Sequence, residues 1–212
     1  MVPMLVNVVG ATLKSVRNVF AVSVFWGVAG CSSQFSVDYT PVPPESSKSW
    51  TVQAVAVDVP ESLVVSTRNT LVPDADIVWY GDGPGDRRAQ VTEIISDGIK
   101  QGVSGLAGPV PVTLDVELVR FHALTPYAFQ VAPPGTGVES VRYKIVVRDA
   151  HTRRVLVPEE IISADGRAIA AKDGGMRGPA ERKRIVNRIA NVTQGWLGMG
   201  KDLRQTFWRV GQ

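Results

Sequence analysis

From Val138 to Arg148 the chain alternates, with Val141, Tyr143, Ile145 and Val147 on one face and Arg142, Lys144, Val146 and Arg148 on the other. A period of two sustained over that length fits a half-buried strand and excludes a helix. Asp149-Ala150-His151-Thr152 then reads as a turn, and Arg153 to Ser163 as the returning strand. A β-hairpin is therefore expected over these residues.

The flanking segments add strands and two helices. Trp50 to Val57, Leu63-Val64-Val65-Ser66 and Ile77-Val78-Trp79-Tyr80 are β-like runs, and Val110 to Leu124 reads as a long strand. From Arg87 the period becomes helical, with Val91, Ile94, Ile95, Ile99, Val103 and Leu106 on one face and Asp86 as N-cap. Gly98 and Gly102 lie on or near that face, where they would allow close packing against a sheet. Pro126 and Pro133-Pro134-Gly135 mark a loop, and residues 166–176 a Gly/Ala/Asp linker. Gly178-Pro179 opens a last helix striped by Ile185, Ile189, Val192 and Trp196. The expected architecture is α+β: a single domain over residues 50–212, with an antiparallel or mixed sheet and two main helices packed on one face.

The N-terminal region has a different character. Lys14 and Arg17 are the only charges before Asp38, and they precede Val19–Ala29, an uncharged run of eleven residues. A positive flank, a short apolar core and small residues after it describe a secretory signal. The run falls short of the roughly 20 apolar residues that a membrane span needs. Translation starts at Met1 or Met4. Val28-Ala29-Gly30-Cys31 resembles the lipobox of bacterial lipoproteins, and Cys31 is the only cysteine in the chain. The resemblance implies cleavage between Gly30 and Cys31 and a diacylglycerol thioether on Cys31, the only attached group expected. Two acyl chains hold a protein stably on a bilayer. Ser32 in the following position implies a periplasm-facing anchor in the outer membrane rather than the inner one. Residues 1–30 are then a removed signal, and the Ser/Pro-rich residues 31–49 read as the lipidated cysteine and a tether. Modification of Cys31 would also leave no thiol for disulfide or redox chemistry.

Candidate chemistry is sparse. Gly81-Asp82-Gly83-Pro84-Gly85 lies between a strand and a helix, but it lacks the spacing and the Lys-Ser/Thr of a phosphate loop. Pro84 removes a donor there, and Asp82 and Asp86 would repel phosphate. Asp74, Asp76, Asp82 and Asp86 match no calcium loop. His122, at a strand end, and His151, in the hairpin turn, are too few for a zinc site, so no metal is expected. A Ser-His-Asp relay is open by spacing, but there is no G-x-S-x-G elbow. Asn191-Val192-Thr193 falls on an apolar helical stripe and reads as a chance glycosylation match. A non-enzymatic protein is expected.

Charge is unevenly spread. Residues 32–165 carry 11 Lys/Arg against 17 Asp/Glu, whereas residues 166–212 carry 10 against 3. Arg177, Arg182, Lys183, Arg184 and Arg188 form a candidate basic interaction surface in and beside the last helix, for an anionic lipid or an acidic partner. The plainer reading is a solvated face that complements the acidic half of its own domain. The near-neutral chain beyond residue 31 gives no nucleic-acid signal. The hairpin Arg142 to Leu156, with its Asp-x-x-Thr-x-x-x-Leu turn from Asp149, resembles small envelope lipoproteins that include auxiliary lipoproteins of ABC-type lipid transport systems. Ala75 to Asp82 with Gly85-Asp86-Arg87 is similar to an uncharacterised bacterial lipoprotein family. These resemblances cover about residues 50–200 and transfer no functional residue. They imply a lipid-anchored envelope protein acting as subunit or adaptor beside a protein partner, or alternatively a small-ligand or lipid-binding module. An envelope hydrolase is the third reading.

Overall fold

The computed structural model describes residues 32–210. The signal, Gly30 and Cys31 lie outside them. Eight strands form one mixed sheet: β1 (Ser32–Asp38), β2 (Trp50–Asp58), β3 (Ile77–Val78), β4 (Val110–His122), β5 (Val138–Asp149), β6 (Val155–Ala164), β7 (Gly166–Arg167) and β8 (Gln205–Val210). Four helices accompany them: α1 (Pro44–Ser47), α2 (Arg87–Val103), α3 (Pro126–Val131) and α4 (Pro179–Trp196). The strand order is β2-β4-β5-β6-β1-β8, with β3 extending the β2 side of β4 and β7 pairing β5. β2 and β3 run parallel to β4, and the other pairings are antiparallel.

The expected hairpin is β5–β6, closed by a turn in which Asp149 Oδ1 accepts from the amides of His151 and Thr152. Alternation explains its faces. Val141, Tyr143, Ile145 and Val147 are buried with Val112, Leu114, Val116 and Leu118 of β4, beneath α2 and α4. Each such residue contributes about 1.5–3 kcal/mol on full burial. The opposite face carries cross-strand ion pairs, Lys144 to Glu117 and Arg148 to Asp115, both at 2.9 Å.

Both long helices begin where the sequence places them. Asp86 caps α2 by accepting from Arg88 N at 2.8 Å, and Pro179 occupies the first turn of α4. The glycines of α2 serve a different contact from the one expected. A Cβ on Gly98 would lie 2.6 Å from Ile189 Cβ, and one on Gly102 would lie 2.6 Å from Thr193 Cβ. They therefore set the approach of α2 to α4, not to the sheet.

Other expectations are corrected. Residues 32–49 are not a tether: β1 lies between β6 and β8, burying Phe35 and Val37, and Tyr39 and Val42 follow into the core. The Ser/Pro composition hid a two-residue apolar period at Phe35, Val37 and Tyr39. Val42 N donates to Trp196 O at 2.7 Å, and Ser47 Oγ donates to Leu197 O at 2.6 Å, which fixes α1 on the end of α4. Leu63–Ser66 makes only a single bridge, Val65 to Ile77. The Pro126 loop contains α3. Residues 205–210, assigned no element from sequence, form the edge strand β8.

Candidate functional site

At one pole of the sheet, where β4 and β8 end, an apolar pocket of about 240 Å³ opens. Leu124, Ala128 and Ala132 form its base, and Leu71, Val72 and Val210 its lip. The short side chains of Ala123, Ala128 and Ala132 leave the space that larger residues would fill. Thr125 begins α3 by accepting from Ala128 N at 3.0 Å, and its hydroxyl donates to Thr70 O at 2.7 Å. Asn69 Oδ1 accepts from Tyr127 N at 2.7 Å. These bonds pin the loop that carries Leu71 and Val72 against α3. Gly137 forms part of the wall at φ 81°, with its amide on Val210 O at 3.0 Å. A side chain at that position would be strained, and its Cβ would meet Leu124 Cδ2 at 3.0 Å.

His122 is a polar side chain lining this pocket, and it is buried. Its Nε2 bonds Ala75 O, which only accepts, so Nε2 carries the proton and Nδ1 accepts from Arg120 Nη2. Burial, reinforced by the Arg120 charge, pushes the imidazole down to about 4. The ring is therefore neutral at ordinary pH. Ser140, its register partner on β5, donates instead to Asp165 Oδ1 at 2.7 Å. Among the described residues no Ser-His-Asp relay is assembled at His122. His151 is exposed in its turn, as expected.

The basic residues in and beside α4 divide: Lys183, Arg184 and Arg188 line one open groove, whereas Arg182 and Arg177 are bonded elsewhere. Arg184 and Arg188 both bond the buried carboxylate of Glu139. Arg182 bonds Asp82 at 2.8 Å and Glu93 and Asp97 at 3.3 Å. Arg177 donates to Leu124 O at 3.2 Å and lies over the Phe129 ring. Lys183, with Arg184 and Arg188, lines this open groove of about 510 Å³ between α4 and β8, beside Asn187 and Asn191. Most of these cations complement carboxylates of the same domain. Glu181, on the same helix, is buried, and burial raises its carboxyl to about 7.

The glycine loop is held by side chains. Asp82 accepts from Trp79 Nε1 at 2.9 Å as well as from Arg182, and Gly83 O accepts from Arg87 Nη1 at 2.9 Å. Its carboxylate faces a cation that a phosphate would need. Among the described residues no three His, Cys, Asp or Glu side chains are grouped to hold a metal ion.

Residues 50–212 match the model of DUF6778, a family of unknown function. The chain belongs to that family. A search of curated proteins gives no match. Among solved structures, this DUF6778 member is similar to protein XCC0632 from Xanthomonas campestris, itself described under DUF330. Identity is 17%, coverage 74% of this chain and 87% of that one, and the TM-score 0.42. A second structure, of an uncharacterized protein, is similar at 13% identity over 69% of this chain and 88% of that one, with a TM-score of 0.34.

Sequence reasoning missed the pocket. The apolar pair Leu71-Val72 in a polar loop, and the alanines after β4, were its only traces.

Proposed function

We propose that this protein is a lipid-anchored, periplasm-facing component of the bacterial envelope, acting as a non-enzymatic subunit or adaptor with its pocket-bearing pole toward the membrane. The observation that carries the reading is the pairing of Ser32 with Val210. Ser32 directly follows the lipobox cysteine, and Val210 forms part of the pocket lip. An anchor on Cys31 therefore leaves no spacer between lipid and sheet, so the apolar pole is the part held nearest the bilayer. Among the described residues no helix is long and apolar enough to cross a membrane.

The test is Cys31→Ser in cells. Release from the membrane fraction, with the signal left uncut by the lipoprotein peptidase, is expected; unchanged fractionation and processing would contradict the anchor. The adaptor role is tested by pull-down from gently solubilised envelopes, where recovery of monomer alone would count against it. The pocket favours a second reading, a module that binds a hydrophobic ligand.

A further inference from the structure

We infer that the pocket-bearing pole is a docking face for an anionic phospholipid bilayer, with the pocket receiving one acyl chain of a bilayer lipid. This deepens the hydrophobic-ligand reading by naming the ligand class.

Three observations converge. The first is the size and chemistry of the cavity. At roughly 30 Å³ per water-sized group, 240 Å³ holds about eight such groups, which suits part of one hydrocarbon chain. Pockets for whole drug-sized ligands run from about 300 Å³ upward.

The second is what surrounds the mouth. Leu71 and Val72 are 50% and 56% exposed, and Tyr127, Val131 and Val210 are exposed beside them. Soluble surfaces scatter such residues singly, so their grouping around one apolar opening points to a contact.

The third is charge. Lys172 lies 3.5 Å from Val131 O, Arg177 stacks on Phe129 of α3, and Arg209 donates to Thr136 O at 3.1 Å. These cations ring the same pole. Asp74 and Asp173 are nearby carboxylates, and Asp173 is engaged with the amide of Gly135. Apolar residues framed by Lys and Arg are the pattern of a segment lying in a bilayer interface. Each cation near an anionic surface strengthens such binding about fivefold.

The chain in the pocket comes from a neighbouring lipid rather than from the Cys31 anchor. Withdrawing one of two anchor chains would leave a single chain in the bilayer, which binds only marginally. A bilayer chain entering the pocket leaves the anchor intact.

The test uses the chain from residue 31 onward, which contains every described element, with Cys31→Ser so that the anchor is absent. Flotation is measured with vesicles of phosphatidylcholine alone and of phosphatidylcholine with phosphatidylglycerol. Binding to the anionic vesicles is expected, at least about tenfold stronger than to the neutral ones and lost at high salt. Leu71→Asp with Val72→Asp should weaken it about tenfold, and Lys172→Ala about fivefold, with melting temperatures unchanged because all three residues are exposed. Phosphatidylglycerol carrying a diazirine on its acyl chain should crosslink to Leu71–Pro73 and Ala128–Pro133. Absence of binding, binding indifferent to these substitutions, adducts confined to other segments, or retention by an envelope protein without vesicle binding would each overturn the inference. Because the anchor is removed, failure here leaves the Cys31 reading standing, and failure of fractionation leaves this one standing.

Discussion

Arg120 Nη2 lies 3.3 Å from Nδ1 of His122, two residues along β4 on the same face. A permanent cation beside a buried imidazole favours the neutral ring, in agreement with the downward shift of His122 to about 4. The unfolded chain takes up that proton near 6.5, whereas the folded chain does so only near 4. Acidification through this window therefore removes stability, by about 3 kcal/mol once complete. The His122→Asn variant should lack this acid loss. Urea denaturation between pH 4 and 7 checks it, and an identical acid slope in the variant would refute the assignment.

Glu181 has the opposite sign. Burial holds its proton until about 7 in the folded chain, against 4.5 when unfolded. Stability is therefore present below 4.5 and lost as pH rises through 7, again by about 3 kcal/mol. Between about 4.5 and 6.5 the two groups offset each other. Glu181→Gln should expose the His122 slope, giving a protein that weakens on acidification and no longer on alkalinisation to pH 8. Midpoints of urea denaturation at four pH values test it; a profile parallel to the parent's would count against both shifts.

Glu139 is fully buried and shared by two guanidiniums, each less than one third exposed. Glu139→Ala strands Arg184 and Arg188 together and should cost about 3–5 kcal/mol. Arg184→Met should cost less, because Arg188 still neutralises the carboxylate. Equal losses in the two variants would show that the cluster does not act as a shared pair.

The α2–α4 seam permits a sharper test. Gly98→Ala puts a methyl 2.6 Å from Ile189 Cβ, an overpacking that costs about 1–3 kcal/mol. Helix propensity alone would stabilise by up to about 1 kcal/mol. A net loss is expected. Gly105→Ala, where an added Cβ meets nothing within 4 Å, should stay within about 0.5 kcal/mol. A stabilised Gly98→Ala protein would mean that the helices can move apart freely.

The sequence exposed elements that alternate or repeat over long runs. β4, β5, α2 and α4 were legible because each has a long apolar face, and the turn after Asp149 marks β6 as the return of β5. β1 was not, since Ser32, Ser33, Gln34 and Ser36 fill its polar positions and three prolines follow closely. β8 is six residues long, too short for a period to declare itself. Gly98 and Gly102 were recognised as contact points, but a single chain does not say which neighbour approaches a glycine. The pocket was illegible for a related reason. It is made by what alanines leave unfilled, and an empty volume has no residue of its own. The charges of α4 were visible as a cluster, but their partners, Glu139 on β5 and Asp82, Glu93 and Asp97 around α2, lie too far away in sequence to pair by eye.

The position of β1 has a consequence for timing. It shares two registered pairs with β6 and six with β8, so its main partner is the last of the described strands. Contacts across almost the whole described chain form slowly, because the intervening loop must first close. During synthesis β1 therefore waits, unpaired along most of its length, while β4, β5 and β6 assemble behind it. A chain stopped short of residue 205 keeps a half-occupied sheet edge next to its N-terminal end. That edge is a physical feature that separates unfinished chains from finished ones.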